Sequence, residues 1–393
     1  MRRRLLEALT VASAMIALIV FLRMSVAGQA PAPQPAASTP ARSAAVPKTA
    51  WGHPSLEGIW LDEFDTPLER PAKYATREFF TAEERAAQDA ERAGNAGRNE
   101  RAAVGSRQDV AGAYNAVFTS AKPTGRRTSL VVDPPNGRIP ALTARAQELN
   151  LRDRQYRLAL LQNTDTCKNK MTACNGWQYG PPSPVRSEMP PSYNTQRMNR
   201  HDGPEDQSMA DRCMSGSEPD FGGFRRIVQA LDSVAIGVDT GQGQGFQRIV
   251  YLSGNHPPNT IRLRHGDSRG HFEGNSLVVE TTNFSPKFPI RGAAENLKLV
   301  ERFTRLSAQT LEYSVTLTDP TVWTAPWTVK QELTLQPDTE NRIYYEPRCH
   351  EGNYGLPALL IGARVDERKF VEGQGPDPAS QDTASCLLNP EPQ

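Results

Sequence analysis

The sequence has little net charge and no basic cluster. Its 45 Lys and Arg residues are nearly balanced by 44 Asp and Glu residues, so the formal net charge is +1. A chain of this kind lacks the electrostatic footprint of nucleic-acid-binding proteins and the basic patch that holds anionic lipid. We therefore predict no nucleic-acid partner, and no membrane partner beyond an N-terminal signal anchor. The pattern does not indicate an oligomeric state.

Motifs for bound metals and phosphates are also missing. No HExxH sequence is present, and no two cysteines have the two-to-four-residue spacing of structural zinc sites. The glycine-rich run at 241–245 is not followed by Gly-Lys-Ser/Thr, which excludes a phosphate-binding loop of that type. We predict no metal site and no cofactor.

Long apolar runs are absent except near the N-terminus. Three arginines precede an apolar run over 8–22, and small residues follow it, which is the pattern of a secretory signal. We predict a signal peptide at 1–27 and a periplasmic or secreted protein; an uncleaved membrane anchor is the alternative. The Ala- and Pro-rich segment 28–50 buries too little apolar area to fold and is predicted to be a disordered linker.

Cysteine is scarce, with five residues in the chain. In an exported protein this number indicates disulfides with one thiol left over. The nearness of Cys167 and Cys174 favours a local bridge. Among the other three, we favour a bridge between Cys213 and Cys349.

The remaining sequence divides at about residue 224. Segment 51–223 is predicted to hold an N-terminal strand followed by a polar helical and irregular extension. Within it, Thr81 and Glu84 form a capping-box pattern at the start of one helix, and a second helix is predicted over 143–162.

From residue 224 to 370 the apolar residues alternate with polar ones, and short turn signals separate the candidate strands. Segments 310–318 and 328–335 are the clearest cases. This pattern predicts a mainly β body, an antiparallel meander that closes as a calycin-like barrel or folds as a sandwich. The segment 371–393 is predicted to be a C-terminal tail.

A short motif near the first strand supports the barrel. Gly58-Ile59-Trp60 resembles the Gly-x-Trp at the first strand of lipocalin-like barrels. The resemblance implies that Trp60 plugs the closed end and that Gly58 lets it pack.

The segment 264–282 carries the densest group of ionisable residues. Gly274-Asn275 predicts a hairpin turn, and a period of two places five side chains on one face of the strand before it: His265, Asp267, Arg269, His271 and Glu273. In one interpretation they form a polar ligand-binding site in a barrel mouth. In the other, Asp267 and Arg269 hold a turn through an ion pair.

The same segment resembles a large set of secreted bacterial proteins of unassigned function. The shared features are Gly266 to Gly274 with 277–284 after it, Trp51-Gly52-His53-Pro54, and the closing block from Cys349 to Gly355. The resemblance covers nearly all of the chain after the linker and implies export, but no reaction. His271 and Phe272 depart from its usual pattern, which argues against a metal site that needs His271.

Two further positions carry candidate chemistry. His350 and Glu351 suit a general base and its partner if they lie in a turn; alternatively, Cys349 is bonded and both side chains satisfy backbone groups. In the apolar strand around 301–302, either Glu301 or Arg302 must point inward, and a buried Arg302 would need Asp267 or Glu273 as its partner.

These features favour a binding protein for a small, partly apolar ligand held in the β body, with Arg302 and the 265–273 group as ligand-binding candidates. The alternative is a periplasmic enzyme, a hydrolase, lyase or isomerase, that uses His350 and Glu351 with an arginine as anion stabiliser. A structural envelope component is the third hypothesis.

Overall fold

A computed structural model describes most of the chain between residues 46 and 378. The described residues are 46–94, 122–162, 165–168, 179–181, 203–204, 212–213, 219, 221–222, 224–241, 244–337, 354–376 and 378. The predicted signal peptide and nearly all of the predicted linker lie outside them, so both stay predictions.

The body of the protein is a closed β-barrel of nine strands with one additional strand. The strands are β1 Gly58–Leu61, β2 Val131–Asp133, β3 Phe224–Gln229, β4 Ser233–Gly241, β5 Gln244–Tyr251, β6 Asp267–Glu273, β7 Ser276–Thr282, β8 Lys298–Arg305, β9 Thr310–Thr318 and β10 Trp327–Leu335. The order around the barrel is β1-β3-β4-β5-β6-β7-β8-β9-β10, and β1 pairs with both β3 and β10 to close it. The additional strand β2 pairs with β10. The mainly β prediction is confirmed, as a barrel rather than a sandwich.

One junction departs from the predicted antiparallel meander. Strands β5 and β6 run parallel and are paired at Val250↔Ser268 and Tyr251↔Arg269. Parallel neighbours need a long connection, and the segment 252–266 supplies it. The apolar residues Ile261 and Leu263 predict a strand over 261–264, which is wrong, since this segment contributes only an isolated bridge from Leu263 to Phe284.

The alternating pattern places every second side chain inside the barrel. In β9, Leu311, Tyr313, Val315 and Leu317 are at most 2% exposed, whereas the intervening residues are half-buried. β8 and β10 repeat the pattern. An alternation of this kind is what an antiparallel strand with one buried face requires.

Trp60 of β1 belongs to the hydrophobic core of the barrel. Its ring is fully buried, its Nε1 donates to the Leu56 carbonyl at 2.8 Å, and the Arg305 guanidinium lies 4.5 Å from the ring centroid. Gly58 has a φ of +135°, a backbone conformation that residues with a Cβ rarely adopt, so a substitution there would strain the start of β1. Arg305 also donates to three backbone carbonyls, those of Ser55, Ser307 and Ala308.

The described residues also form three long helices, α1 Ala82–Gly94, α2 Ala144–Leu161 and α3 Gly355–Val371. Two short helices accompany them, a 3-10 helix at Ala72–Tyr74 and one α-helical turn at Asp165–Lys168. The capping box of α1 is formed, because Thr81 N donates to Glu84 Oε2 at 2.9 Å and Glu84 N donates to Thr81 Oγ1 at 3.2 Å. Helix α3 occupies the end of the segment that was predicted to be β, which is a difference from the sequence-based prediction. No helix in the described ranges is long and apolar enough to cross a membrane.

Candidate functional site: a polar cluster inside the barrel

Charged and polar side chains lie at the centre of an otherwise apolar barrel. We define the interior polar cluster as Arg225, Arg248, Glu301, Tyr313 and Gln331, which come from β3, β5, β8, β9 and β10 respectively and are all at least nine-tenths buried. Each occupies an inward position of its strand. Apolar residues surround them in the same strands, including Ile227, Val250, Leu299, Phe303, Val315 and Val329.

A bidentate ion pair forms the middle of this cluster. Arg248 Nη1 donates to Glu301 Oε2 and Arg248 Nη2 donates to Glu301 Oε1, both at 2.7 Å. Parallel hydrogen bonds of this type fix the orientation of both planar groups. Arg248 Nη1 also donates to the hydroxyls of Ser268 at 3.3 Å and Thr281 at 3.2 Å, which are the inward polar residues of β6 and β7.

Tyr313 completes the surroundings of the carboxylate. Its hydroxyl donates to Glu301 Oε1 at 2.9 Å. Burial raises the pKa of Tyr313 well above its usual value, and the nearby negative charge of Glu301 adds to the effect. The phenol therefore stays protonated and keeps donating at neutral pH.

Arg225 packs against the face of the Tyr313 ring. Its guanidinium is 4.8 Å from the ring centroid, and its Nη2 donates a long hydrogen bond of 3.5 Å to Gln331 Oε1. The Gln331 amide donates in turn to the Phe221 carbonyl at 2.8 Å. These contacts hold a second guanidinium at a fixed place inside the barrel.

The cluster offers mainly hydrogen-bond donors. A guanidinium carries five N–H donors and no acceptor, and a carboxylate already engaged by Arg248 and Tyr313 has little accepting capacity left. Such an arrangement complements a ligand group with acceptor oxygens.

Most of the residues predicted to bind ligand lie on the outer surface of the barrel wall. Thr281 of β7 faces inward, and its neighbour Ser268 on β6 therefore does too. The alternate positions Asp267, Arg269, His271 and Glu273 consequently share the outer face of β6. The predicted common face is confirmed for these four, but it does not line the barrel interior; their ligand-binding role stays a prediction.

Asp267 is the central hydrogen-bond acceptor in one half of this outer face. Arg269 Nε and Nη2 donate to its two carboxylate oxygens at 2.8 and 3.0 Å, and His256 Nδ1 lies 2.7 Å from Oδ2. Burial alone would raise the pKa of Asp267, but the hydrogen bonds from Arg269 and His256 outweigh it and lower the pKa below its usual value. His256 Nε2 lies 3.6 Å from Glu280 Oε1. His256 was not predictable from the sequence, because the segment between the strands has no periodic pattern.

Glu273 organises the other half. His271 Nε2 lies 2.8 Å from Glu273 Oε1, and Arg302 Nη2 donates to Glu273 Oε2. Arg302 thus has one of its two predicted partners, but on the exposed outer face with a side chain 44% exposed. Its neighbour Glu301 is the residue that points inward. The alternative interpretation of 267–270 as a turn is wrong, since these residues lie within β6.

The other predicted site residues are only partly described. The ring of His265 stacks on that of Phe246 at 5.0 Å, one residue before Gly266 and β6. His350 and Glu351 lie outside the described residues, as do Cys174 and Cys349. The enzyme hypothesis and both disulfide pairings therefore stay predictions.

The segment Gly266 to Gly270 also matches the pattern Gly-x-Ser-x-Gly, which contains the nucleophile in many serine hydrolases. That motif needs a sharp turn from strand to helix. Here Ser268 lies within a strand, and its hydroxyl contacts Thr281 at 2.9 Å and Arg248 at 3.3 Å. The context does not fit a nucleophile elbow.

A usable signal for the interior cluster does exist in the sequence. Arg248 lies between Phe246 and Val250 in the phase of the apolar residues, and Glu301 lies in the same way between Leu299 and Phe303. A charged residue at an inward phase of an alternating strand indicates a buried polar site.

Among the described residues, no group of three or more His, Cys, Asp or Glu side chains is arranged to hold a metal ion.

Comparison with known proteins does not place the chain in a family. The sequence matches no protein-family model and no curated protein, and the structure matches no solved structure.

Proposed function

We propose that the protein binds a small, partly apolar ligand inside the barrel and that the interior polar cluster orients the ligand's polar end. Barrels of about eight strands are just wide enough to hold side chains or one small ligand. An apolar lining with a few fixed polar groups is the usual composition of small-molecule sites.

The buried Arg248–Glu301 pair is the observation that carries the proposal. Removing two charges from water costs several kcal/mol per ion, and well-packed apolar residues often stabilise a core as well or better. A barrel selected only for stability has no need of this pair or of Arg225. Binding of a polar ligand group accounts for the presence of two guanidiniums in the interior.

The proposal includes export, on the basis of the N-terminal pattern of residues 1–27, and membership of the set of secreted bacterial proteins that the sequence resembles. A periplasmic carrier or sensor of a small molecule fits both. Expression of the full chain with fractionation of the cells, and mass measurement of the product, tests export and removal of residues 1–27.

The ligand can be sought directly by native mass spectrometry of the protein purified from the periplasm. A bound small molecule that is released on denaturation supports the proposal. As a defined probe, 1-anilinonaphthalene-8-sulfonate combines apolar rings with an oxygen-bearing group that a guanidinium can bind.

A matched pair of variants locates the binding. Arg225→Met removes a guanidinium from the interior, whereas Arg226→Met makes the same change at the next residue, on the exposed outer face of β3. We expect Arg225→Met to weaken probe binding by about tenfold, the effect of one lost charge-assisted hydrogen bond, and Arg226→Met to leave it unchanged. No co-purified ligand and no saturable probe binding by folded protein would contradict the proposal.

A further inference from the structure

The junction between β5 and β6 is joined by much less backbone pairing than most of the barrel wall. It has the two register pairs Val250↔Ser268 and Tyr251↔Arg269, whereas β8 and β9 are paired along their whole length from Lys298↔Thr318 to Arg305↔Leu311. The β1–β10 junction is also short, but there β2 pairs with β10 as well and continues the sheet.

Because β5 and β6 run parallel, the part of β5 before Val250 lies beside the segment that leads into β6. Among the described residues, Gln244 to Ile249 are in register with β4 on one side but have no register partner in β6 on the other. Separating the wall at this point breaks fewer backbone hydrogen bonds than at any fully paired junction.

On the inner surface of the barrel wall, side chains cross the unpaired part of the β5–β6 junction. Arg248 lies in the stretch of β5 without a ladder and donates to Ser268, Thr281 and Glu301, one residue each on β6, β7 and β8. The ring stack of Phe246 with His265 lies along the same stretch.

On the outer surface, Arg269 joins the two strands. Its guanidinium lies 5.0 Å from the Tyr251 ring centroid, and its Nη1 donates to the Ser253 carbonyl at 3.1 Å. Exposed contacts of this kind are individually weak, up to about 1 kcal/mol each in proteins generally.

We infer that the β5–β6 junction is the route by which the ligand reaches the interior, and that it opens by separation of Gln244–Ile249 from the segment that leads into β6. The inference rests on the proposed function, because it assigns a path to the same interior site. Opening exposes Arg248 first, so the residue that bridges the gap is also the first interior donor that an arriving ligand meets.

Hydrogen exchange tests the opening without any ligand. We expect the amides of the β5–β6 ladder, at Val250–Tyr251 and Ser268–Arg269, to exchange at least about tenfold faster than those of β9 from Glu312 to Thr316, because local openings with few broken bonds dominate exchange. Equal protection of the two groups of amides would overturn the inference, whatever the protein binds.

A reversible cross-link tests the route itself. Tyr251→Cys with Arg269→Cys places two thiols on neighbouring outer positions of the junction, where paired strands are about 5 Å apart and within the reach of a disulfide. The matched control is Val300→Cys with Thr316→Cys, an outer pair across β8–β9. The control also reports any effect of oxidant or reductant on the native cysteines.

Stopped-flow measurement of 1-anilinonaphthalene-8-sulfonate uptake and release then compares the oxidised and reduced forms of each variant. We expect oxidation to slow both rates by about tenfold or more in the β5–β6 variant, with an unchanged equilibrium affinity, and to have no effect in the control. Binding with equal rates in both redox states would overturn the route and leave the proposed function standing. Absence of binding would overturn the proposed function, and hydrogen exchange would still decide whether the junction opens.

Discussion

Two arginine–glutamate pairs share strand β8 and face opposite ways. Glu301 points into the barrel and pairs with Arg248, both nearly inaccessible to solvent, whereas the adjacent Arg302 points outward and pairs with Glu273 on a half-exposed surface. The same residue types thus meet two environments one residue apart. In the low-dielectric interior, the stability of each charge depends on its partner. On the outer surface, water screens the ion pair and can solvate either charge when its partner is removed.

The largest expected effect comes from breaking the inner pair. Glu301→Gln leaves the Arg248 guanidinium without its counter-charge in the interior, and we expect the free energy of unfolding to fall by about 3–5 kcal/mol. Urea denaturation measures the change. The double variant Arg248→Met with Glu301→Leu should recover most of this loss, because it removes both charges together. A cost for Glu301→Gln as small as that of an exposed substitution would contradict the inward placement of Glu301.

The contacts of Arg305 around Trp60 should give the next largest effect. Arg305→Met removes the donor to three backbone carbonyls and the cation over the Trp60 ring. Because buried acceptors would lose their hydrogen bonds, we expect a loss of about 2–3 kcal/mol in the free energy of unfolding. Thermal and urea unfolding check it.

Asp267 is intermediate between the two pairs, because it lies on the outer face and is nevertheless buried. We expect Asp267→Asn to cost about 1–2 kcal/mol at neutral pH, since it weakens the hydrogen bonds from Arg269 and His256. The pKa of Asp267 is lowered in the folded protein, so its contribution is complete above the ordinary pKa of an aspartate and is lost as the pH falls through the lowered one. Urea denaturation of both proteins across the acid range should show the difference vanish. A difference that stays constant in acid would exclude a role for the Asp267 charge.

The smallest effect is expected at the outer pair. Arg302→Ala removes an exposed ion pair, and we expect no change in the free energy of unfolding beyond experimental error in physiological salt. The measurement is the same urea titration at low and high ionic strength. A large loss would show that Arg302 faces the interior, as the sequence allowed.

Strand positions were predictable because they depend on local patterning. Alternation in 310–318 and 328–335 predicted β9 and β10 to within one residue, and Gly274-Asn275 predicted the β6–β7 turn. The capping box at Thr81 and Glu84 was predictable for the same reason, since both partners lie within one helical turn.

The candidate site was less predictable because its partners are far apart in the chain. Arg248 and Glu301 are separated by 53 positions, and their pairing follows from the order of strands around the barrel. Ionisable residues at alternate positions of one strand, such as those of β6, share a face whichever strands pair with it. Which face becomes the interior depends on the neighbouring strands, and Thr281 and Arg248 decide it here.

The sequence by itself determined where strands and turns lie, because side-chain alternation and turn chemistry act over a few residues. Only the tertiary structure decided that the sheet closes, that β5 and β6 meet in parallel with little pairing, and that Glu301 rather than Arg302 is buried. Those outcomes depend on which distant strands become neighbours, since burial and charge pairing are properties of the assembled wall and of no single segment.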